Sequence, residues 1–202
     1  MRRVLIGSVT GLAVAGGALA LATTAGANND NSLKAKLVDA TGARVGTARI
    51  AFEGDGSRVK VEVQLPPALA GFHGFHIHSV GECVAPFTSA GGHLGEVATD
   101  PTHRHRNHDG DLPVLLVNSD GHAWARFDTD RLDLAQVKDV NGSAFIIHAA
   151  PDNYANIPAT DAAGNPRYSN PNAVPVYPNT TTDAATLATG DAGGCIACGV
   201  IR

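Results

Sequence analysis

A chain of 202 residues, 44% apolar and 17% charged, is long enough to bury a core of its own. A formal net charge of −4 without basic runs gives no reason to expect a nucleic-acid partner. The three cysteines are an odd number, so at least one is free, metal-bound or joined to another molecule.

The N-terminus reads as a secretory signal: Arg2 and Arg3, an apolar run from Val4 to Ala22, then Ala25-Gly26-Ala27 as a small-residue cleavage site. Residues 1–27 are therefore expected to be removed, leaving 28–202 as one domain. The apolar run is long enough to cross a bilayer if left uncleaved, but its glycines and its A-x-A ending favour cleavage. No other long apolar stretch follows, so no stable membrane insertion is expected, and the protein should be secreted or held in the cell envelope. Cys83, Cys195 and Cys198 all lie in the exported part, where an oxidising compartment permits a disulfide.

From Leu33 to Gln64 the chain repeats short strands and turn signals: LKAKLVD, TGAR, VGTARIAFE, GDGS, RVKVEVQ. Alternation, clearest in VKVEV, predicts a half-buried antiparallel sheet. After Pro66-Pro67 comes a segment carrying His76 and His78, and VLLVNSDGHAWARFD predicts a hairpin closed through Asn118 to Gly121. Residues 133–139 suit one or two helical turns, and Ala144–His148 reads as a buried strand. The sum is an all-β sandwich or flattened barrel. Two long loops interrupt it, 79–113 rich in Gly, His and Asp, and 149–197 rich in Pro, Asn, Thr and Ala, and loops of that length are either functional or disordered.

Eight of the nine histidines fall in three stretches, GFHGFHIH at 71–78, GGHLGEVATDPTHRHRNHDGD at 91–111 and FIIH at 145–148. Imidazole binds Cu, Zn, Fe and Ni well, so a multi-histidine metal centre is the first hypothesis. His76 and His78, two apart on a strand, emerge on one face; joined by His93 in a glycine-bounded turn and by His148, they offer three or four nitrogens suited to Cu(II). His105, His108 and Asp111 are spaced by three. With His93 they would make a closed tetrahedral zinc site, and without it a solvated loop whose histidines only titrate. His73 should face away from His76 and His78 and be structural, and His122, just past a turn, should be exposed.

In GFHGFHIH, SAGGHL, HDGDLP, IIHAAPDN and GDAGGCIACGVI, taken in that order over Leu33 to Arg202, the chain resembles the secreted bacterial copper/zinc superoxide dismutases. The resemblance implies an eight-stranded Greek-key β-barrel, with copper held by His76, His78, His93 and His148, and zinc by His93, His105, His108 and Asp111. His93 would bridge both ions and act as catalytic proton donor. His103 lies close enough to His105 to take its place in the zinc set. The resemblance further makes Asp152 the link between a copper histidine and a zinc histidine, pairs Cys83 with Cys198, and sets Thr189 and Cys195 at the channel. The implied reaction turns two superoxide anions into dioxygen and hydrogen peroxide, in a monomer or homodimer.

One position departs from the family pattern. An arginine that would lie beside copper and attract the anion is replaced by Cys195. Three accounts compete: a tolerated replacement in a slower enzyme, a substitute cation such as Arg167, or a thiolate that ligates or oxidises near copper. The same replacement supports the alternative reading, a copper- and zinc-binding module with weak or no dismutase activity.

Overall fold

Alternation of apolar and polar residues sets the first three strands. In β1 (Ser32–Asp39), β2 (Arg44–Glu53) and β3 (Gly56–Gln64), Leu33, Ala35, Leu37, Ala48, Ile50, Val59, Val61 and Val63 turn inward while the residues between them stay exposed or half-exposed. The remaining strands are β4 (Gly71–His73), β5 (Phe75–His78), β6 (Leu115–Val117), β7 (His122–Thr129), β8 (Ala144–His148) and β9 (Cys195–Val200), with one helical turn, α1 (Leu134–Val137). These come from a computed structural model that describes residues 31–97, 105, 107–154 and 188–202. The expected signal at 1–27, His103, Arg167 and most of the second long loop lie outside the described residues.

The all-β expectation holds. Seven strands form an antiparallel sheet in the order β5-β8-β9-β1-β2-β3-β7, and β4 pairs with β6 beside it. Strand β9 lies between β8 and β1, far from both in sequence, a connection of the Greek-key kind. Eight strands result if β4 and β5 are taken as one strand broken at Gly74, whose Cβ position would press on Ala192 and on the His76 ring. The break sends β4 to β6 and β5 to β8, and so closes the two sheets on each other.

The predicted hairpin at 114–128 forms only in part. Its turn closes with Asn118 N–H donating to His122 O at 2.9 Å, but β6 then pairs with β4 and β7 with β3. The cause lies at Gly121, which has φ +85° and whose backbone is pressed against Leu65 O, while Leu65 N–H donates back to Gly121 O at 2.9 Å. The turn is thus fastened to the end of β3, and β7 continues along that strand.

On β5 the period of two divides chemistry from core. Phe75 and Ile77 enter the apolar interior, where Phe75 stacks on Phe145 of β8 with ring centroids 5.3 Å apart. His76 and His78 take the other face and are just as buried. β5 is also the sheet edge, and both arms of the first long loop cover it: Leu94 N–H donates to Ile77 O, Ile77 N–H to Gly110 O, and Ser79 N–H to Gly92 O. This loop lays His93 and Asp111 against the strand bearing His76 and His78.

Candidate metal centre

Two donor groups converge over β5. His76, His78, His93 and His148 form one, with a nitrogen from each within 4.8 Å of the others; His76, His93, His105 and Asp111 meet the same limit. The chemistry of each ring decides where it belongs. His76 Nε2 donates to Asp152 Oδ2 at 2.7 Å, so its lone pair is on Nδ1, which is buried and has no hydrogen-bond partner. His78 Nδ1–H donates to Gly91 O at 2.7 Å and His148 Nδ1–H to Gly193 O at 2.9 Å, which leaves their Nε2 atoms facing each other at 3.4 Å. His93 Nε2 is buried and unpartnered as well. His76 therefore sides with His78, His93 and His148.

The second group is completed by His108 rather than by His76. His93 Nδ1 lies 2.7 Å from Asp111 Oδ1, and His108 Nδ1 is 3.3 Å from that oxygen and 3.4 Å from His93 Nδ1. His105 Nε2 donates to both Asp152 oxygens at 2.7 and 2.8 Å; its Nδ1, 3.2 Å from Asp111 Oδ1, is not aligned to donate there and is left without a hydrogen bond. Four nitrogens thus face one point, and three nitrogens with a carboxylate oxygen face another. Buried polar atoms without partners are costly, and a cation at each point is what this donor set fits. His93 offers one nitrogen to each group.

Charge states follow from burial and pairing. Burial, then the neighbouring histidines, pushes His78 down to about 3 and His148 to about 4, and burial holds His76 well below the usual imidazole range, so these rings are neutral. Burial would lower His105 too, but Asp111 and Asp152 outweigh it and raise the ring to about 9. Burial opposes ionisation of Asp152 and Asp111, yet histidine hydrogen bonds win: Asp152 falls to about 2 and Asp111 lies far below the carboxylate range.

The supporting contacts were only partly readable beforehand. Asp152 reaches both His76 and His105. Glu96, which accepts the His93 backbone N–H at 3.2 Å, was missed, as were the Gly91 and Gly193 carbonyls that orient His78 and His148. A signal for those carbonyls exists. Ala90-Gly91-Gly92 and Ala192-Gly193-Gly194 repeat one tripeptide, each with a fully buried alanine and a first glycine at φ near +75°.

His73 is buried with its ring nitrogens 2.7 Å from Leu69 O and His148 O, a structural role. His122 is half-exposed, 3.5 Å from Glu62. Cys83 and Cys198 are joined across 115 residues. Cys195 is free and half-buried, opposite His148 in the β8–β9 ladder and packed against the cluster that holds Cys198; burial raises its thiol, so it is neutral at physiological pH. Neither donor group among the described residues includes it. Thr189 ends the short helical turn before Gly190.

Comparison with known proteins agrees with this geometry. The family model described as copper/zinc superoxide dismutase (SODC) matches residues 44–201. A superoxide dismutase [Cu-Zn] of Mycolicibacterium paratuberculosis is 38% identical over 172 residues, spanning 79% of this chain and 69% of that protein. The one from Deinococcus radiodurans is 36% identical over 150 residues, 67% of this chain and 81% of that protein. Among solved structures, the Cu/Zn superoxide dismutase from Brucella abortus aligns with TM-score 0.57 at 28% identity, covering 85% of this chain and 99% of that one. A SOD-like protein from Bacillus subtilis aligns with TM-score 0.60 at 25% identity, covering 84% and 97%. With the family match extending over most of the chain and relatives 36% and 38% identical that share at least two thirds of their length with it, the chain belongs to the copper/zinc superoxide dismutase family.

Proposed function

We propose that the protein is an exported superoxide dismutase that holds copper between His76, His78, His93 and His148 and zinc between His93, His105, His108 and Asp111. The observation that carries this reading is the disposition of nitrogens: on His76, His78, His105 and His148 one is fixed by an oxygen acceptor while the other faces a donor group, and His93 faces both. Bound copper would supply one-electron chemistry, taking an electron from one superoxide, released as dioxygen, and giving it to a second, which with two protons becomes hydrogen peroxide; zinc would anchor a ring without changing redox state.

The protein's own part is to orient and to move a proton. His93, only 2% exposed, has its Nδ1 held on the zinc side beside Asp111, so its Nε2 on the copper side would accept a proton in the half-reaction in which it does not bind the metal and pass it to the reduced oxygen in the other. Asp152, holding His76 and His105, fixes the two ring planes and raises their basicity as ligands. The arginine-led apolar N-terminus and the disulfide support export, and no helix of the described residues is long and apolar enough to cross a membrane. Monomer or homodimer both suit this reading.

A second reading, a copper- and zinc-binding module with little turnover, is favoured by one observation: the neutral Cys195 thiol stands where the family places an attracting cation. Superoxide decay with protein loaded to one copper and one zinc per chain separates the two. Fast turnover is expected, with His78→Ala abolishing it while leaving zinc and fold intact. Slow decay at full occupancy would establish the module, and full activity in His78→Ala would sink the copper assignment.

A further inference from the structure

Away from the metal centre, the outer face of β1-β2-β3-β7 carries a row of like charges. Lys34 on β1 is opposite Arg49 on β2, Arg49 is opposite Lys60 on β3, and Lys60 is opposite Arg126 on β7. All four are exposed, and at a strand spacing of about 4.8 Å the row runs roughly 14 Å across the sheet. Like charges set directly opposite one another in a sheet destabilise it. With Lys36, Arg44 and Arg202 beside it, this face holds seven of the fifteen lysines and arginines of a chain whose net charge is −4. That concentration is not explained by the metal centre, whose candidate ligands come from β5, β8 and the covering loop.

The face is also grooved. A hollow of about 280 Å³ lies among Lys34, Thr47, Arg49, Lys60, Glu62 and Trp124. Another of about 630 Å³ lies over β1 and β9, where Lys34, Lys36, Arg44, Thr47 and Arg202 surround Val38, Val200 and the Cys83–Cys198 disulfide. Lys34 and Thr47 line both, so the two hollows are neighbours along one track of the sheet. Trp124, in the neighbouring row Lys36-Thr47-Glu62-Trp124, is 59% exposed, an unusual position for a large aromatic ring. Acidic groups next to the track are few among the described residues: Glu62 inside it, 3.5 Å from His122, Asp128 paired with Arg58, and Asp39 accepting from its own turn.

We propose that this face is a docking track for an acidic polysaccharide. A sugar ring has an apolar C–H face that lies flat on an indole and a polar rim that suits Thr47 and Glu62, while carboxylates along the polymer would meet the successive cations of the row. A bilayer surface fits less well, because it takes several protruding apolar side chains and this face offers one aromatic ring beside a row of cations.

The chain has a single tryptophan, Trp124, so its fluorescence reports the track directly. Alginate, a polyuronate, titrated into the metal-loaded full chain should change Trp124 emission saturably, and the affinity should fall steeply with salt. Lys34→Gln with Lys60→Gln should weaken binding at least tenfold at low salt and flatten the salt dependence, with copper and zinc content unchanged. Should the double variant misfold, Lys60→Gln alone serves the same comparison. Absence of an emission change with alginate would overturn the proposal. So would an equal response to neutral dextran, or to polyphosphate at matched charge, since neither tests the combination of ring and carboxylate. Binding to phosphatidylglycerol vesicles in place of alginate would make the face a membrane contact and overturn it as well.

Discussion

Asp152 receives a ring N–H from each donor group, and the state of the surrounding histidines has a consequence for pH. In the metal-free protein His78 and His148 have folded values of about 3 and 4, below the ordinary 6.5, so the folded form binds fewer protons than the unfolded one in mild acid. Their contribution is complete above pH 6.5 and is lost as pH falls toward 4 and 3, at about 1.4 kcal/mol per pH unit for each ring. His105, raised to about 9, works the other way: its contribution is complete below 6.5 and is lost as pH rises toward 9. Denaturant melts of metal-free protein should therefore show greatest stability near pH 6.5 and a steeper decline on the acid side. A flat profile between pH 7 and 4.5 would contradict the buried, neutral state of these rings. At Cys195 the question is electrostatic. Its neutral thiol gives an approaching anion no attraction, so Cys195→Arg should speed superoxide removal at low salt, with the gain fading as salt screens the new charge. A loss of copper in that variant would instead assign the thiol a ligand role.

Between residues and fold stands the way loops return to strands. Gly190 has φ +59°, and a Cβ there would overlap both Asp152 Oδ1 and His105 Nε2. Gly190→Ala should separate these two groups and lower zinc affinity roughly 10–100-fold, as loss of an outer-shell partner does, measured by competition with a chelator. Unchanged zinc affinity would show that the carboxylate link is dispensable. Such positions mark the limit of what a sequence discloses. The alternation in β1 to β3 and the H-x-H on β5 were legible because a period of two is a local property of extended chain. The break at Gly74 and the parting of β6 from β7 were not, because they depend on Ala192 and Leu65, residues distant in sequence that press on Gly74 and Gly121. The grouping of His93 with strands 75–78 and 144–148 was legible from family order, whereas its hold on Glu96 and the carbonyls that aim His78 and His148 depend on loop backbone.

Across the whole molecule, the basic row and the sheet order have opposite implications for stability. Lys60→Glu would set an acid between Arg49 and Arg126 and convert two repulsive cross-strand pairs into attractive ones, with a gain of about 0.2–1 kcal/mol for each pair. A higher melting temperature with lost alginate binding is the expected result; a lower one would mean that the row is not the source of repulsion that its register implies. The place of β9 in the sheet bears on how the chain is made. It is the last strand in sequence, yet it fills the gap between β8 and β1. A chain delivered N-terminus first has β1-β2-β3-β7 on one side and β5-β8 on the other, with the facing edges of β1 and β8 unpaired, until residues 195–200 arrive. Those open edges are templates for pairing with another chain, and their closure requires contacts distant in sequence, which form slowly. The barrel is thus a structure that cannot be half finished: folding must wait for β9, and a chain still being made needs shielding until it comes.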